Sequence, residues 1–101
     1  MTVIKRNGQE VAFDKSKIVN AIIKANNTVK DEEKLSGEQI GAIADAIVSE
    51  CALLEKHDEK ITIERIQELV ENHLMDSGHH NVAKNYITYR RKRDIAREAR
   101  S

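Results

Sequence analysis

The sequence predicts a mostly helical α+β domain, with a small β-hairpin or three-stranded sheet capping a four-helix bundle. Short β-branched runs flank Asn7-Gly8 near the start, and the later segments repeat their apolar residues at the three-to-four spacing of helices. The 101 residues also contain no proline and only three aromatic side chains, so helices run uninterrupted and the core must be aliphatic.

Thr2–Lys5 and Glu10–Phe13 are the expected strands. Between them, Arg6-Asn7-Gly8-Gln9 holds Asn-Gly, a strong two-residue hairpin signal because both residues tolerate positive φ. Asp14 has the chemistry of an N-cap, with Phe13 and Ile18 placed as a hydrophobic staple. Ile18, Val19, Ile22, Ile23 and Ala25 carry a first helix to about Asn26, and 27–34 reads as a polar loop. Ser36-Gly37-Glu38-Gln39 has capping-box spacing, and Leu35 with Ile40 repeats the staple. The second helix bears a stripe of Ile40, Ile43, Ala44, Ile47, Val48, Cys51 and Leu54. After a charged loop at 55–60, Ile61-Thr62-Ile63 is either a brief third strand or the entry to the next helix. That helix carries Ile66, Leu69, Val70 and Leu74 and stops near Asp76-Ser77-Gly78. The last begins near His80 and runs through Val82, Ala83, Tyr86 and Ile87 into a basic tail.

A chain of this length suits a single domain. No apolar run approaches the ~20 residues of a membrane span, and charge interrupts the N-terminus too early for a signal peptide. The lone Cys51, in an apolar stretch, fits a core position in a protein of the reducing cytoplasm. The formal charge of zero is unevenly spread. Residues 1–30 hold six basic and two acidic groups, 31–83 four and thirteen, and 84–101 seven and two. Two basic ends around an acidic middle point to an anion site built from both, although an ordinary solvated surface gives the same pattern.

Two clusters are candidates for that site. Lys15 and Lys17 stand in the first turn of the first helix, where the helix dipole disfavours cations by ~0.3–1 kcal/mol each. An anion bound at that helix start removes the conflict, with Lys17 neutralising it and Lys5 and Arg6 within reach. Four solvated charges are the equal alternative. On the last helix, Lys84, Tyr86, Tyr89, Arg90, Arg91, Lys92 and Arg93 place two rings among cations, with Tyr86 over Arg90 and Tyr89 over Arg93. A ring beside a cation suits a nucleobase and its phosphates, or a nucleic-acid backbone, or simply a core tyrosine with a basic tail. His73, His79 and His80 lack the ligand spacing of a zinc site. No phosphate-cradling glycine loop and no nucleophile elbow is present, so no catalytic residues and no metal are expected.

Three blocks in order resemble one family. Val3-Ile4-Lys5-Arg6-Asn7-Gly8 followed by Phe13-Asp14-Lys15-Ser16-Lys17-Ile18 is similar to the opening of an ATP-cone domain. Ile61–Glu71 resembles its third-helix segment, and Val82-Ala83-Lys84-Asn85-Tyr86-Ile87-Thr88-Tyr89-Arg90 its closing helix. The resemblance implies an ATP-cone at 1–93, with 94–101 a basic helix end or a linker to a catalytic domain. It implies ATP or dATP as effector, with Mg2+. Lys5, Arg6, Lys17 and Lys92 fall at phosphate contacts. Val3 and Ile18 fall at adenine contacts and Gln67 near the ribose, and Val11, Ile63, Asp14 and Tyr89 complete the expected base and ribose set. Val11 and Ile63 depart from members that carry glutamate and threonine there.

The implied role is allosteric: ATP activates and dATP inhibits a ribonucleoside-di- or triphosphate reductase in deoxyribonucleotide synthesis, while the domain itself catalyses nothing. Its partners would be adenine nucleotides, the remainder of the reductase, and a second copy under dATP, with neither membrane nor nucleic acid expected. Two alternatives stand beside this. One is the ATP-cone of a nucleotide-responsive transcriptional repressor without its zinc ribbon, against which the missing Cys-x-x-C before Val3 counts. The other is a nucleic-acid-binding module using the basic last helix.

Overall fold

The computed structural model describes residues 1–100, except the side chains of residues 97, 98 and 100. Its elements are β1 (Thr2–Ile4), β2 (Glu10–Ala12), α1 (Lys15–Asn26), a 3-10 turn (Asp31–Glu33), α2 (Gly37–Lys56), α3 (Ile63–Asp76) and α4 (His80–Arg100). The predicted mostly-α α+β architecture is the one observed. Ser101, the last residue of the expected 94–101 segment, lies outside the described residues. α4 passes residue 93 without a break, so the backbone marks no boundary there.

The hairpin differs from expectation in its turn. β1 and β2 pair antiparallel with Val3 opposite Val11 and Ile4 opposite Glu10. The amide of Lys5 then donates to Gln9 O at 2.9 Å, and that of Gly8 to Lys5 O at 2.9 Å. The loop therefore has three residues, Arg6, Asn7 and Gly8, and Gly8 alone of these takes a positive φ, of 84°. A type I turn closed by a left-handed glycine matches the strand twist as a two-residue primed turn does. Asn7 is free to cap the Gln9 amide with its Oδ1 instead, at 2.9 Å.

The sheet has two strands, and the third survives only as a single parallel bridge between Ile4 and Thr62. The amide of Ile4 donates to Ile61 O at 2.8 Å, tying the hairpin to the entry of α3. Strand pairing cannot extend further because Thr62 is already committed as N-cap, its Oγ1 accepting from Arg65 N at 3.1 Å. Both readings of this segment thus hold, one residue apart.

The helix caps are the ones written in the sequence. Asp14 accepts from Ser16 N, and Ser36 with Gln39 forms a full capping box. α3 ends in a Schellman motif: Gly78 takes φ 82°, the amide of His79 reaches Leu74 O, and that of Gly78 reaches Met75 O. α2 runs two residues into the expected loop and ends in the same motif, with Asp58 at φ 59° in the glycine position. The expected 27–34 loop contains a 3-10 turn, and buried Asn26 staples its ends by bonding both N and O of Leu35.

The helices close into a ring, α1 packing on α2 and α4, and α3 on α2 and α4. Ile22, Ile47, Leu74, Val70 and Val82 fill its axis, and Cys51 is buried among them, where burial pushes its thiol pKa up. The hairpin covers one end of the ring through Val3, leaving a cavity beneath it.

Candidate functional site

The cavity has a volume of about 280 Å3 and lies between the hairpin and the faces of three helices. Periodicity selects its walls. Val3 on β1 and Lys5 just beyond its end are two apart and both line the cavity, with Val11 opposite Val3 on β2. From α1 come Ile18 and Ala21, and Asp14 and Lys17 each stand four residues before one of them, at its start. From α3 come Ile63, Ile66, Gln67 and Val70, and from α4 Tyr86, Tyr89, Arg90, Arg93 and Asp94. Each set follows the three-to-four spacing of one helical face. Val3, Ile18, Ile66, Val70 and Tyr86 are buried, whereas Lys5, Arg6 and Lys17 are exposed. The result is an aliphatic floor with cations at its edge.

All but one of the sequence-selected site residues line this cavity: Lys5, Arg6, Lys17, Val3, Val11, Asp14, Ile18, Ile63, Gln67 and Tyr89. Lys92 does not. It stands two residues after Arg90 and one before Arg93, off the face that Tyr86, Arg90 and Arg93 present. Lys15 also points elsewhere and pairs with Asp45 of α2, so the first-turn cation that faces the cavity is Lys17. Sequence reasoning had no signal for Asp94 beyond its four-residue step from Arg90, and it left Arg90 and Arg93 in a cluster of seven.

The charges are arranged in pairs. Arg6, at the hairpin tip, donates from Nη2 to Asp94 Oδ2 at 2.7 Å, and its Nε lies 3.6 Å from Glu64 Oε1. Arg90 pairs with Glu71 through Nη2, one turn along α3 from Gln67. Tyr89 accepts from Lys24 Nζ at 3.1 Å, with Lys24 5.4 Å and Arg93 5.9 Å from its ring centre. That Lys24 hydrogen bond, ahead of Arg93, draws the Tyr89 pKa below the ordinary phenol value. Burial pushes Tyr86 up to about 12. Asp14 is held below the usual carboxylate range by the Ser16 hydroxyl and then the Ser16 amide.

Two buried polar atoms in the cavity wall, Gln67 Oε1 and Arg90 Nε, have no hydrogen-bond partner among the described residues. One is an acceptor and the other a donor, and leaving such a group unpaired costs about 1–3 kcal/mol. A small chamber with an aliphatic floor and cations at its mouth has the chemistry of a nucleotide site. Among the described residues, no group of three His, Cys, Asp or Glu side chains is placed to hold a metal ion. Among the described residues, no helix is long and apolar enough to cross a membrane.

The fold and cavity together define a small nucleotide-binding domain, one that gathers its walls from both ends of the chain. The chain belongs to the ATP-cone family: the profile of the ATP cone domain matches residues 1–95. It is 40% identical over 100 residues to the anaerobic ribonucleoside-triphosphate reductase of Haemophilus influenzae, covering 98% of this chain and 13% of that protein. It is 38% identical over 105 residues to the ribonucleoside-diphosphate reductase subunit alpha of Chlamydia trachomatis, covering 99% of this chain and 10% of that protein. A transcriptional repressor, NrdR of Chlamydia felis, is 30% identical over 95 residues, covering 94% of this chain and 59% of the repressor. The chain thus spans about a tenth of the reductases it matches.

Proposed function

We propose that this domain senses ATP and dATP on behalf of a ribonucleotide reductase, binding either nucleotide in the cavity under the hairpin. The observation that carries the reading is the joining of an aliphatic floor to a cationic edge. Val3, Val11, Ile18 and Ile63 take the base, and Lys5, Arg6 and Lys17 take the phosphates. A volume of about 280 Å3 lies at the small end of ligand pockets, which suits a base and sugar inside with the phosphates at the mouth. Lys17 stands where the α1 dipole also favours an anion, and no acidic residue occupies that first turn.

Asp14 supports adenine over guanine. At neutral pH it is an acceptor-only carboxylate, which suits the exocyclic amine of adenine and repels the carbonyl at the same position of guanine. Gln67 and Arg90 line the same cavity and stand beside the base and ribose in this reading. Mg2+, where it accompanies the nucleotide, neutralises phosphate charge at the mouth.

ATP and dATP share their phosphates, so opposite effects on a reductase arise at the sugar and pass to the helix surface. In this reading ATP sustains activity, dATP suppresses it, and dATP promotes association of copies. The reductase setting is favoured over the repressor by identity, 40% and 38% against 30%.

Isothermal titration with ATP, dATP, GTP and AMP, with and without Mg2+, is the test. Micromolar or tighter binding of ATP and dATP, with GTP far weaker, is expected. Equal affinity for GTP overturns the base assignment, and steeply salt-dependent DNA binding without nucleotide binding favours the nucleic-acid module instead.

A further inference from the structure

Resting on that assignment of the phosphates to the cavity mouth, the geometry points to a role for Asp94 that the nucleotide reading leaves unexplained. We propose that Asp94 is an internal stand-in for a phosphate group, holding Arg6 until a ligand's phosphate displaces it and thereby setting both affinity and the course of α4 beyond it.

Arg6 and Asp94 are 88 residues apart and meet at 2.7 Å, the short distance of a charge-assisted bond. The Asp94 side chain is 13% exposed and lies in the cavity wall, while Arg6 is 40% exposed at the edge. Glu64 stands on the Nε side of the same guanidinium at 3.6 Å. A carboxylate accepts hydrogen bonds from a guanidinium fork just as a phosphate oxygen does. Arg6 is therefore presented to an arriving phosphate already engaged by a competing anion.

Both anions cannot share that corner without cost. Like charges a few ångströms apart repel strongly where water is partly excluded, and a polyphosphate carries several. The lysines at the mouth, Lys5 and Lys17, attract the ligand and leave Asp94 as the group that gives way. Asp94 belongs to α4, and its bond to the hairpin tip ties the far part of that helix down over the cavity. Releasing it uncouples the turns after Arg93 from the hairpin, so occupancy is reported along α4 to whatever follows it. The effect grows with ligand charge, because displacement is driven by repulsion.

The experiment is isothermal titration of the parent chain, Asp94→Asn and Lys17→Ala with ATP, AMP and inorganic tripolyphosphate. Asp94→Asn keeps the side chain's size and removes its charge. ATP and tripolyphosphate should bind it about tenfold more tightly than they bind the parent, the scale of one hydrogen bond to a charged group, and AMP should gain much less. Backbone hydrogen exchange adds a second readout: saturating ATP should speed exchange after residue 93 in the parent and add little in Asp94→Asn. Unchanged or weaker ATP binding by Asp94→Asn overturns the stand-in role, as does an equal gain for AMP. If Lys17→Ala still weakens ATP in that case, the nucleotide site itself stands. If ATP binds no variant while tripolyphosphate shows the tenfold gain, the adenine reading fails and the role of Asp94 survives.

Discussion

Lys17, Lys5 and Arg6 differ in what removing them does to the protein without nucleotide. Lys17→Ala removes a cation from the positive end of α1, so stability without ligand should hold or rise slightly while ATP weakens by about 1.5–3 kcal/mol. Lys5→Ala should cost a similar share of ATP binding with little change in melting temperature. Arg6→Ala also breaks the tie to Asp94 and leaves that carboxylate at the mouth without the Arg6 charge, so its loss of affinity should be at least as large. Calorimetry of binding and thermal melts of the three variants check this, and a Lys17→Ala variant that binds ATP like the parent misplaces the phosphate site. Lys17 stood out in the sequence because a lysine in the first turn of a helix conflicts with the dipole, a purely local fact, whereas Lys5 and Arg6 were singled out by their place beside the hairpin turn and by the family resemblance. Lys15 shows the limit of that argument. It conflicts with the dipole equally, yet it is satisfied by Asp45 from another helix. Arg90 with Glu71 and Arg6 with Asp94 are likewise pairings across the fold, and no spacing in the chain announces them.

The two tyrosines offer a readout on one helix. Tyr89, its pKa lowered by Lys24, should ionise first and reversibly as pH rises. Tyr86 has its folded pKa raised by burial to about 12, above the ordinary value of 10. Its contribution is fully present below pH 10 and is lost as pH climbs towards 12, because the unfolded chain releases that proton more readily. Ultraviolet absorbance should therefore show one phenolate forming before the helical circular dichroism falls, and the second forming with it. Simultaneous ionisation of both rings at unchanged helicity would contradict the burial of Tyr86.

At the scale of elements, the caps decide where each helix begins, and they were readable because capping needs only neighbours. Asp14, Ser36 and Gln39 act as their spacing implies. The hairpin turn was read one residue too short because Asn7-Gly8 fits two turn types, and the Lys5–Gln9 pairing that decides between them is set by the strand register. Thr62 was ambiguous for a related reason: β-branched Ile-Thr-Ile suits a strand, but a threonine hydroxyl also caps a helix. The end of α2 gives a quantitative expectation. Asp58 sits in a left-handed conformation that costs a non-glycine residue about 1–2 kcal/mol, partly offset in Asp by local hydrogen bonding. Asp58→Gly should stabilise the domain by about 0.5–1 kcal/mol, read as a rise of roughly 4 °C in melting temperature. A fall in melting temperature would mean that the Asp58 side chain contributes more than its backbone strain removes.

For the whole molecule, ring closure of four helices makes the core a shared resource. Ile22 and Ile47 are wholly buried on α1 and α2, and truncating either to alanine should cost about 2–5 kcal/mol. Nucleotide should recover part of that loss, since binding at a hundredfold over Kd adds about 2.7 kcal/mol. An Ile47→Ala domain whose melting temperature does not respond to ATP would show that the truncation had abolished binding along with core packing. Sedimentation velocity at matched saturation tests the larger-scale reading, with greater self-association expected under dATP than ATP. Identical profiles would place the association surface outside this domain.

The mouth of the cavity is bridged by Arg6 and Asp94, which a ribosome makes 88 residues apart. At about 5–20 residues per second, the hairpin waits roughly 4–18 s for the helix that completes it. During that interval Val3 and Val11 have no α4 to close over them, and no nucleotide can be enclosed, however much is present in the cell. The effector can therefore steady the finished domain but cannot guide its early folding. A nascent chain stalled with residue 94 still inside the exit tunnel should gain no protease resistance from ATP, and one stalled well beyond residue 100 should gain it in full.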